Sequence, residues 1–123
     1  DLLDLVEAAI DGRLNDVQAQ WDPRPSLGVV MAAAGYPGTP RTGDIINEWD
    51  APLPEDVKVF HAGTRLEGGH VVTAGGRVLT VCALGDTVAA AQRKAYEAVA
   101  GISWTGEFHR HDIGWRAIER ERA

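Results

Sequence analysis

The stretch Ser26 to Gly38, SLGVVMAAAGYPG, constrains the fold of this chain more than any other. An apolar run of small side chains leads straight into a Gly-Tyr-Pro-Gly turn. Glycine at such a place lets backbone come close to a neighbour with no bulky side chain between them. The block has no acid, base or nucleophile, so it reads as a surface-forming segment and not as reaction machinery. Three compact runs follow it: HAGT at 61–64, GGRVLTVCALG at 75–85 and HDIGWRAI at 111–118.

The chain has room for one domain, with or without a short attached element: 123 residues bury roughly two-thirds of their unfolded surface. A hydrophobic fraction of 45% and a charged fraction of 24% are those of an ordinary soluble globular chain. The net charge of −6 disfavours nucleic acid and anionic lipid, both of which want a basic face. The densest basic run, RAIERER at 116–122, is interleaved with glutamates and reads as a solvated helix face. Cys82 is the single cysteine, so no disulfide forms within the chain, and a reducing cytoplasmic setting fits. With no basic neighbour, Cys82 reads as a small buried hydrophobe. No stretch approaches a membrane span, and no signal-peptide pattern is present.

Leu3, Val6, Ile10 and Leu14 share one helical face, with Asp1 or Asp4 as cap. The first residue is Asp1 and not Met, which reads as a piece of a longer protein or a processed product. Residues 15–25, with Pro23 and Pro25, have the signature of a linker, so residues 1–25 are expected to be a preceding helix plus linker and 26–123 the domain body. Leu27–Ala34 reads as a buried strand, Ile45–Ile46 as a brief extended or helical piece, and 47–56 as an acidic loop. Val57–Leu66, His70–Ala74 and Arg77–Leu84 read as three strands of an antiparallel meander, turned at Glu67-Gly68-Gly69 and tightly reversed at Gly75-Gly76. Asp86 or Thr87 caps a helix through Ala100, Gly101 ends it, and Arg93–Glu97 forms an i,i+4 pair on its outside. Residues 102–105 read as an edge strand, and Trp115–Arg122 as a last helical turn or two. The fold class is therefore α+β: an antiparallel sheet with helices packed on one face.

Chemistry is sparse. His109 and His111 form H-x-H, but two ligands from one strand do not make a metal site, and His61 and His70 show no ligand spacing. His61-Ala62-Gly63-Thr64 reads either as a substrate-contacting turn or as a strand bulge. Asp44, Glu48, Asp50, Glu55 and Asp56 read as solvated loop acids. The glycine-rich turns lack the strand–loop–helix context and the lysine of a phosphate loop. Arg41, Arg65 and Arg77 are each suited to bidentate contact with a phosphate or carboxylate.

The blocks SLGVVMAAAGYPG, RTGD at 41–44, KVFHAGT at 58–64, GGRVLTVCALG, TVAAAQRKAY at 87–96 and DIGWRAI together resemble the C-terminal domain of the phosphoribosylamine–glycine ligase family, in order and over nearly the whole chain. The first helix resembles the last helix of that family's ATP-grasp domain. The resemblance implies a part in joining glycine to 5-phosphoribosylamine with ATP, through a glycyl phosphate that the amine attacks, in purine synthesis. It implies ATP and Mg²⁺ or Mn²⁺ as cofactors, bound mainly outside these residues, since the family's RFGDPE-type signature does not occur here. The implied partners are the N-terminal and ATP-grasp domains and small-molecule substrates. On this resemblance the chain alone is inactive and supplies an active-site wall, formed by Gly35, Tyr36, Pro37, Gly38, Arg41, His61, Thr64 and Arg77, with no catalytic or metal-ligating residue. Two alternatives stand beside it: a domain-docking module without substrate contact, and the C-terminal domain of a related ATP-grasp carboxylase or ligase. The mixed-charge end at Arg120–Ala123 reads as a true terminus, which favours a monofunctional parent.

Overall fold

A computed structural model describes residues 1–47 and 52–123. Residues 48–51 of the loop expected at 47–56, with Glu48 and Asp50, therefore lie outside the described residues. The elements in order are helix α1 (Leu2–Ile10), a short 3-10 turn (Leu14–Asp16), strands β1 (Ser26–Ala32), β2 (Val57–His61), β3 (Thr64–Glu67), β4 (His70–Thr73) and β5 (Arg77–Leu84), helix α2 (Val88–Val99), strand β6 (Phe108–His109) and helix α3 (Trp115–Arg122).

Strands β2, β5, β1 and β6 form one antiparallel sheet in that order, and β3 with β4 forms a separate two-stranded hairpin. Alternation builds the core. Along β1, Leu27, Val29 and Met31 turn inward, while Gly28 and Val30 turn outward. On β5, Val81 and Ala83 continue the buried face, and Thr80 and Cys82 lie on the half-covered one. Helix α2 packs on β1 and β5 through Ala91, Ala95, Ala98 and Val99, small enough for close helix–sheet contact. Thr87 caps this helix, its hydroxyl accepting from the Ala90 N–H at 3.0 Å. The α+β class, with an antiparallel sheet and helices, is as expected.

The expected meander is corrected. The run Val57–Leu66 is not one strand: it breaks at Ala62-Gly63, and its second half turns away to pair with β4. The tight hairpin lies at Gly68-Gly69, where φ is 58° and 83°, the left-handed pair a two-residue reversal needs. Gly75-Gly76 instead carries the chain from β4 across to β5, which pairs with β1 and β2 and not with β4. The crossing is held by backbone: Gly63 N–H donates to Arg77 C=O at 2.9 Å, Ala74 N–H to Gly63 C=O at 2.7 Å, and Ala33 N–H to Gly76 C=O at 2.9 Å.

Other elements differ in smaller ways. Residues 102–105 make a single bridge, Ser103 to Asn47, because Ile102 and Trp104 are drawn into the core; β6 forms the sheet edge instead. The expected Arg93–Glu97 pair is not among the ion pairs of the described residues; Lys94 on the same helix reaches Asp56 at 2.7 Å. Gly101 follows α2 without a left-handed φ, and its N–H donates to the Ala98 C=O at 3.1 Å. Cys82 is half-buried rather than buried, since it sits on the sheet face opposite α2, and partial burial pushes its thiol pKa up. Helix α1 is capped by Asp1, but it ends at Ile10 and leaves Leu14 outside. Its stripe of Leu3, Val6 and Ile10 is exposed, Ile10 at 79%.

Candidate functional site

The glycine-rich turns converge. Residues 35–40 leave β1 and fold back beside the Gly63/Gly76 crossing, with the Tyr36–Pro37 peptide cis. The Tyr36 ring lies on Gly76: a Cβ there would fall on Tyr36 Cδ2, with Cε2 at 3.2 Å and Cγ at 3.3 Å. Gly63 is as constrained, since a Cβ would sit 2.7 Å from the Arg77 carbonyl oxygen. Side-chain-free backbone at both points lets two loops and the ends of β2 and β5 close around one open hollow of about 660 Å³.

Of the expected residues, Tyr36, Pro37, Gly38 and Arg77 line this hollow together. Gly35 makes the turn that delivers them, with φ of 89°. Arg41 does not line the hollow: its guanidinium is spent on Asp44 at 2.7 Å, three residues on, where that carboxylate is nearly buried. His61 and Thr64 are not lining residues either. They flank Ala62-Gly63, which is, and bond each other from Nδ1 to Oγ1 at 3.1 Å. Sequence reasoning missed Val30, Pro40, Ala62, Gly63, Gly76 and Thr80 as part of the hollow. The outward phase of β1 and β5 was the available signal for Val30 and Thr80, which face each other in register.

Among the described residues, the polar ones that line the hollow are Tyr36, Thr80 and Arg77, all of them donors, with no aspartate or glutamate beside them. Carboxylates are what a divalent cation with bound nucleotide phosphates requires. Among the described residues no group of three or more His, Cys, Asp or Glu side chains is disposed to hold a metal. The donor set of the described lining residues therefore does not fit Mg²⁺ or Mn²⁺ with ATP. His109 is engaged elsewhere, its Nδ1 2.7 Å from Glu107 Oε1 and its ring edge-on to His111 at 4.6 Å. No helix among the described residues is long and apolar enough to cross a membrane.

A second hollow, about 450 Å³, lies between α1 and the extended segment 17–21, and Leu2, Leu5, Val17 and Trp21 line it. It is built from residues of the linker and the first helix and shares none with the glycine-rich site. The DIGWRAI block holds the C-terminal end in place. The Tyr96 hydroxyl donates to Arg110 C=O at 2.6 Å and accepts from Ile113 N–H at 3.1 Å. Glu121 of α3 accepts from Val88 N–H at 2.7 Å, placing a carboxylate at the N-terminus of α2.

Comparison with known proteins gives these features a family. The model of the phosphoribosylglycinamide synthetase C domain matches residues 26–116. The chain is 66% identical over 122 residues to phosphoribosylamine–glycine ligase of Xylella fastidiosa (strain 9a5c), covering 98% of this chain and 28% of that one. It is 57% identical over 123 residues to the ligase of that name from Escherichia coli O157:H7, covering 99% of this chain and 29% of that one. The crystal structure of phosphoribosylamine–glycine ligase from Thermotoga maritima superposes with a TM-score of 0.69 at 37% identity, over 88% of this chain and 27% of that one. The chain thus spans a little over a quarter of the length of these relatives. Since the matched residues contain the whole glycine-rich hollow and run over most of its length, the chain belongs to the phosphoribosylglycinamide synthetase C-domain family.

Proposed function

We propose that this chain is the C-terminal part of an ATP-dependent ligase that joins glycine to 5-phosphoribosylamine in purine synthesis, and that its hollow forms one wall of the active site. The observation that carries the reading is the Tyr36–Gly76–Arg77 hollow: open, concave and lined by hydrogen-bond donors without acids. A surface made only for docking presents a flat apolar face, whereas a substrate wall is concave with a few convergent polar groups.

In this reading ATP and Mg²⁺ or Mn²⁺ are held by the rest of the parent and supply activation of the glycine carboxylate. The residues of this chain do the other half of the work. Pro37, Gly38 and Pro40 form the rim with no titratable group that would divert a reactive acyl phosphate. Tyr36, seated on Gly76, covers one side of the hollow and excludes water from it. Arg77 and Thr80 orient what enters. The chain by itself performs no turnover.

The α1 stripe has its place in the same reading. Leu3, Val6, Ile10 and Trp21 are exposed here, and the relatives carry more than twice this length of chain beyond the matched part. Residues 1–25 then belong with the preceding ATP-grasp domain, whose body covers these side chains, and the linker leads into the body from residue 26. A pure docking module without substrate contact is the second reading, favoured by this exposed stripe.

Tyr36→Ala in the full-length ligase separates the two. A wall predicts a fall of about tenfold in kcat/KM for phosphoribosylamine, and a docking module predicts none. Incubating the isolated chain with ATP, glycine and phosphoribosylamine is expected to release no ADP; turnover by the chain alone would overturn the proposal.

A further inference from the structure

We infer that Arg77 is an anion anchor and that the group it takes is the phosphate monoester of the sugar substrate, not the carboxylate of glycine and not the phosphates of ATP. The inference rests on the reading of the hollow as a substrate wall and goes further by naming what the wall holds.

Three arginines stand near the glycine-rich turns, and the structure separates them. Arg41 is paired with Asp44 at 2.7 Å. Arg65 closes on Glu67 Oε2 with its Nε at 2.8 Å and a terminal nitrogen at 2.6 Å. Arg77 has no carboxylate partner among the described residues, and it alone of the three lines the hollow. In a chain with 18 acidic and 12 basic side chains, a hollow whose described lining has one guanidinium and no acid is a local reversal of the overall charge. Such a patch attracts an anion and repels nothing negative.

The position of Arg77 is fixed as well as free. Its carbonyl accepts from Gly63 N–H at 2.9 Å, and it opens β5 directly after Gly76, on which Tyr36 rests. These contacts fix the backbone from which the side chain leaves; a guanidinium presents a planar fork that matches two phosphate oxygens, and Tyr36 and Thr80, which line the same hollow, carry hydroxyls as further donors.

Three anions take part in the reaction, and the chemistry of the hollow selects one. ATP phosphates and the carboxylate they activate are handled with a divalent cation, and the described lining residues include no acid to share in holding one. A guanidinium fork on the reacting carboxylate would also oppose its attack on phosphorus by neutralising the nucleophile. The sugar phosphate is a spectator in the chemistry and carries the negative charge farthest from the reacting amine. Its binding energy is available for orientation without touching the reacting centre.

The test is Arg77→Gln in the full-length ligase, beside Tyr36→Ala. The expected result is a KM for phosphoribosylamine raised about tenfold or more, with the KM values for glycine and ATP within about twofold of the parent, and partial recovery in Arg77→Lys. An unchanged KM for phosphoribosylamine, or a rise confined to glycine or ATP, overturns the inference. If Tyr36→Ala impairs the enzyme and Arg77→Gln does not, the wall stands and the phosphate anchor falls; if neither variant is impaired, both fall. A measurement on the unmodified ligase guards against misfolding of the variants. Ribose 5-phosphate should slow modification of Arg77 by phenylglyoxal, followed by peptide mass, while ribose should not. Equal labelling with and without ribose 5-phosphate contradicts the assignment.

Discussion

The ring of Tyr36 rests on the Cα of Gly76, close enough that a single added methyl would overlap Cδ2 of the ring. One glycine therefore decides where the Tyr36 ring can lie. Gly76→Ala is expected to expel the Tyr36 ring at modest cost, about 1 kcal/mol, the low end for overpacking, because the ring is partly exposed and can swing outward. The displaced ring should appear as a shifted Tyr36 aromatic NMR signal, with denaturant unfolding giving the cost. A Tyr36 signal identical to that of the parent chain would contradict the seating.

Tyr96 ties the C-terminal block to α2 through one hydroxyl that both donates to Arg110 and accepts from Ile113. Tyr96→Phe keeps the ring and removes both bonds. It should cost about 1–2 kcal/mol and loosen residues 110–114, visible as faster amide exchange at Ile113. No change in exchange there would show that the hydroxyl does not hold the block.

Acid should weaken the fold through one network. Arg24 bonds Asp22 and reaches Asp56 at 2.7 Å, and Lys94 of α2 reaches the other oxygen of Asp56 at 2.7 Å. The hydrogen bond from Arg24 holds the Asp22 carboxyl at about 2 against an ordinary 3.8. Lys94, and after it Arg24, lowers that of Asp56 as well. A carboxylate more acidic when folded than when unfolded contributes stability above its unfolded value and loses it as pH falls through its folded one. Stability should therefore hold down to about pH 4 and decline from there toward pH 2. In Asp22→Asn the decline over that window should be shallower. Urea midpoints at several pH values read this directly, and identical slopes in the two proteins would contradict it.

The exposed stripe on α1 separates the behaviour of this chain from that of its parent. Val6→Asp and Ile10→Asp fall on exposed positions, so the isolated chain should unfold within about 0.5 kcal/mol of the unmodified one. If another domain of the full-length ligase covers the stripe, the same changes bury a charge at that contact and should lower the melting temperature by several degrees. Equal melting of parent and variant ligase would mean that no domain covers the stripe.

The local elements were legible where one residue type dictates one geometry. Leu27, Val29 and Met31 alternate, so β1 is readable, and Thr87 before an alanine-rich run announces α2. Pairing was not legible, because Gly75-Gly76 and Gly68-Gly69 look alike in sequence. Only the long-range bonds from Gly63 and Ala33 make one of them a crossing and leave the other a hairpin. The site divides in the same way. Tyr36, Pro37, Gly38 and Arg77 were readable from the turns that contain them. Arg41 and the His61–Thr64 pair, expected with them, do not line the hollow; each makes a contact three residues away, Arg41 with Asp44 and His61 with Thr64. The spacing of Arg41 and Asp44 in RTGD was a visible sign of that pairing.

The most direct test of the central claim is kcat/KM for phosphoribosylamine in the full-length ligase carrying Tyr36→Ala, with folding checked by melting temperature. If the hollow is a wall of the active site, the value falls about tenfold, equivalent to about 1.4 kcal/mol of lost transition-state stabilisation, while the melting temperature stays near that of the parent. An unchanged kcat/KM in a folded variant would contradict the account.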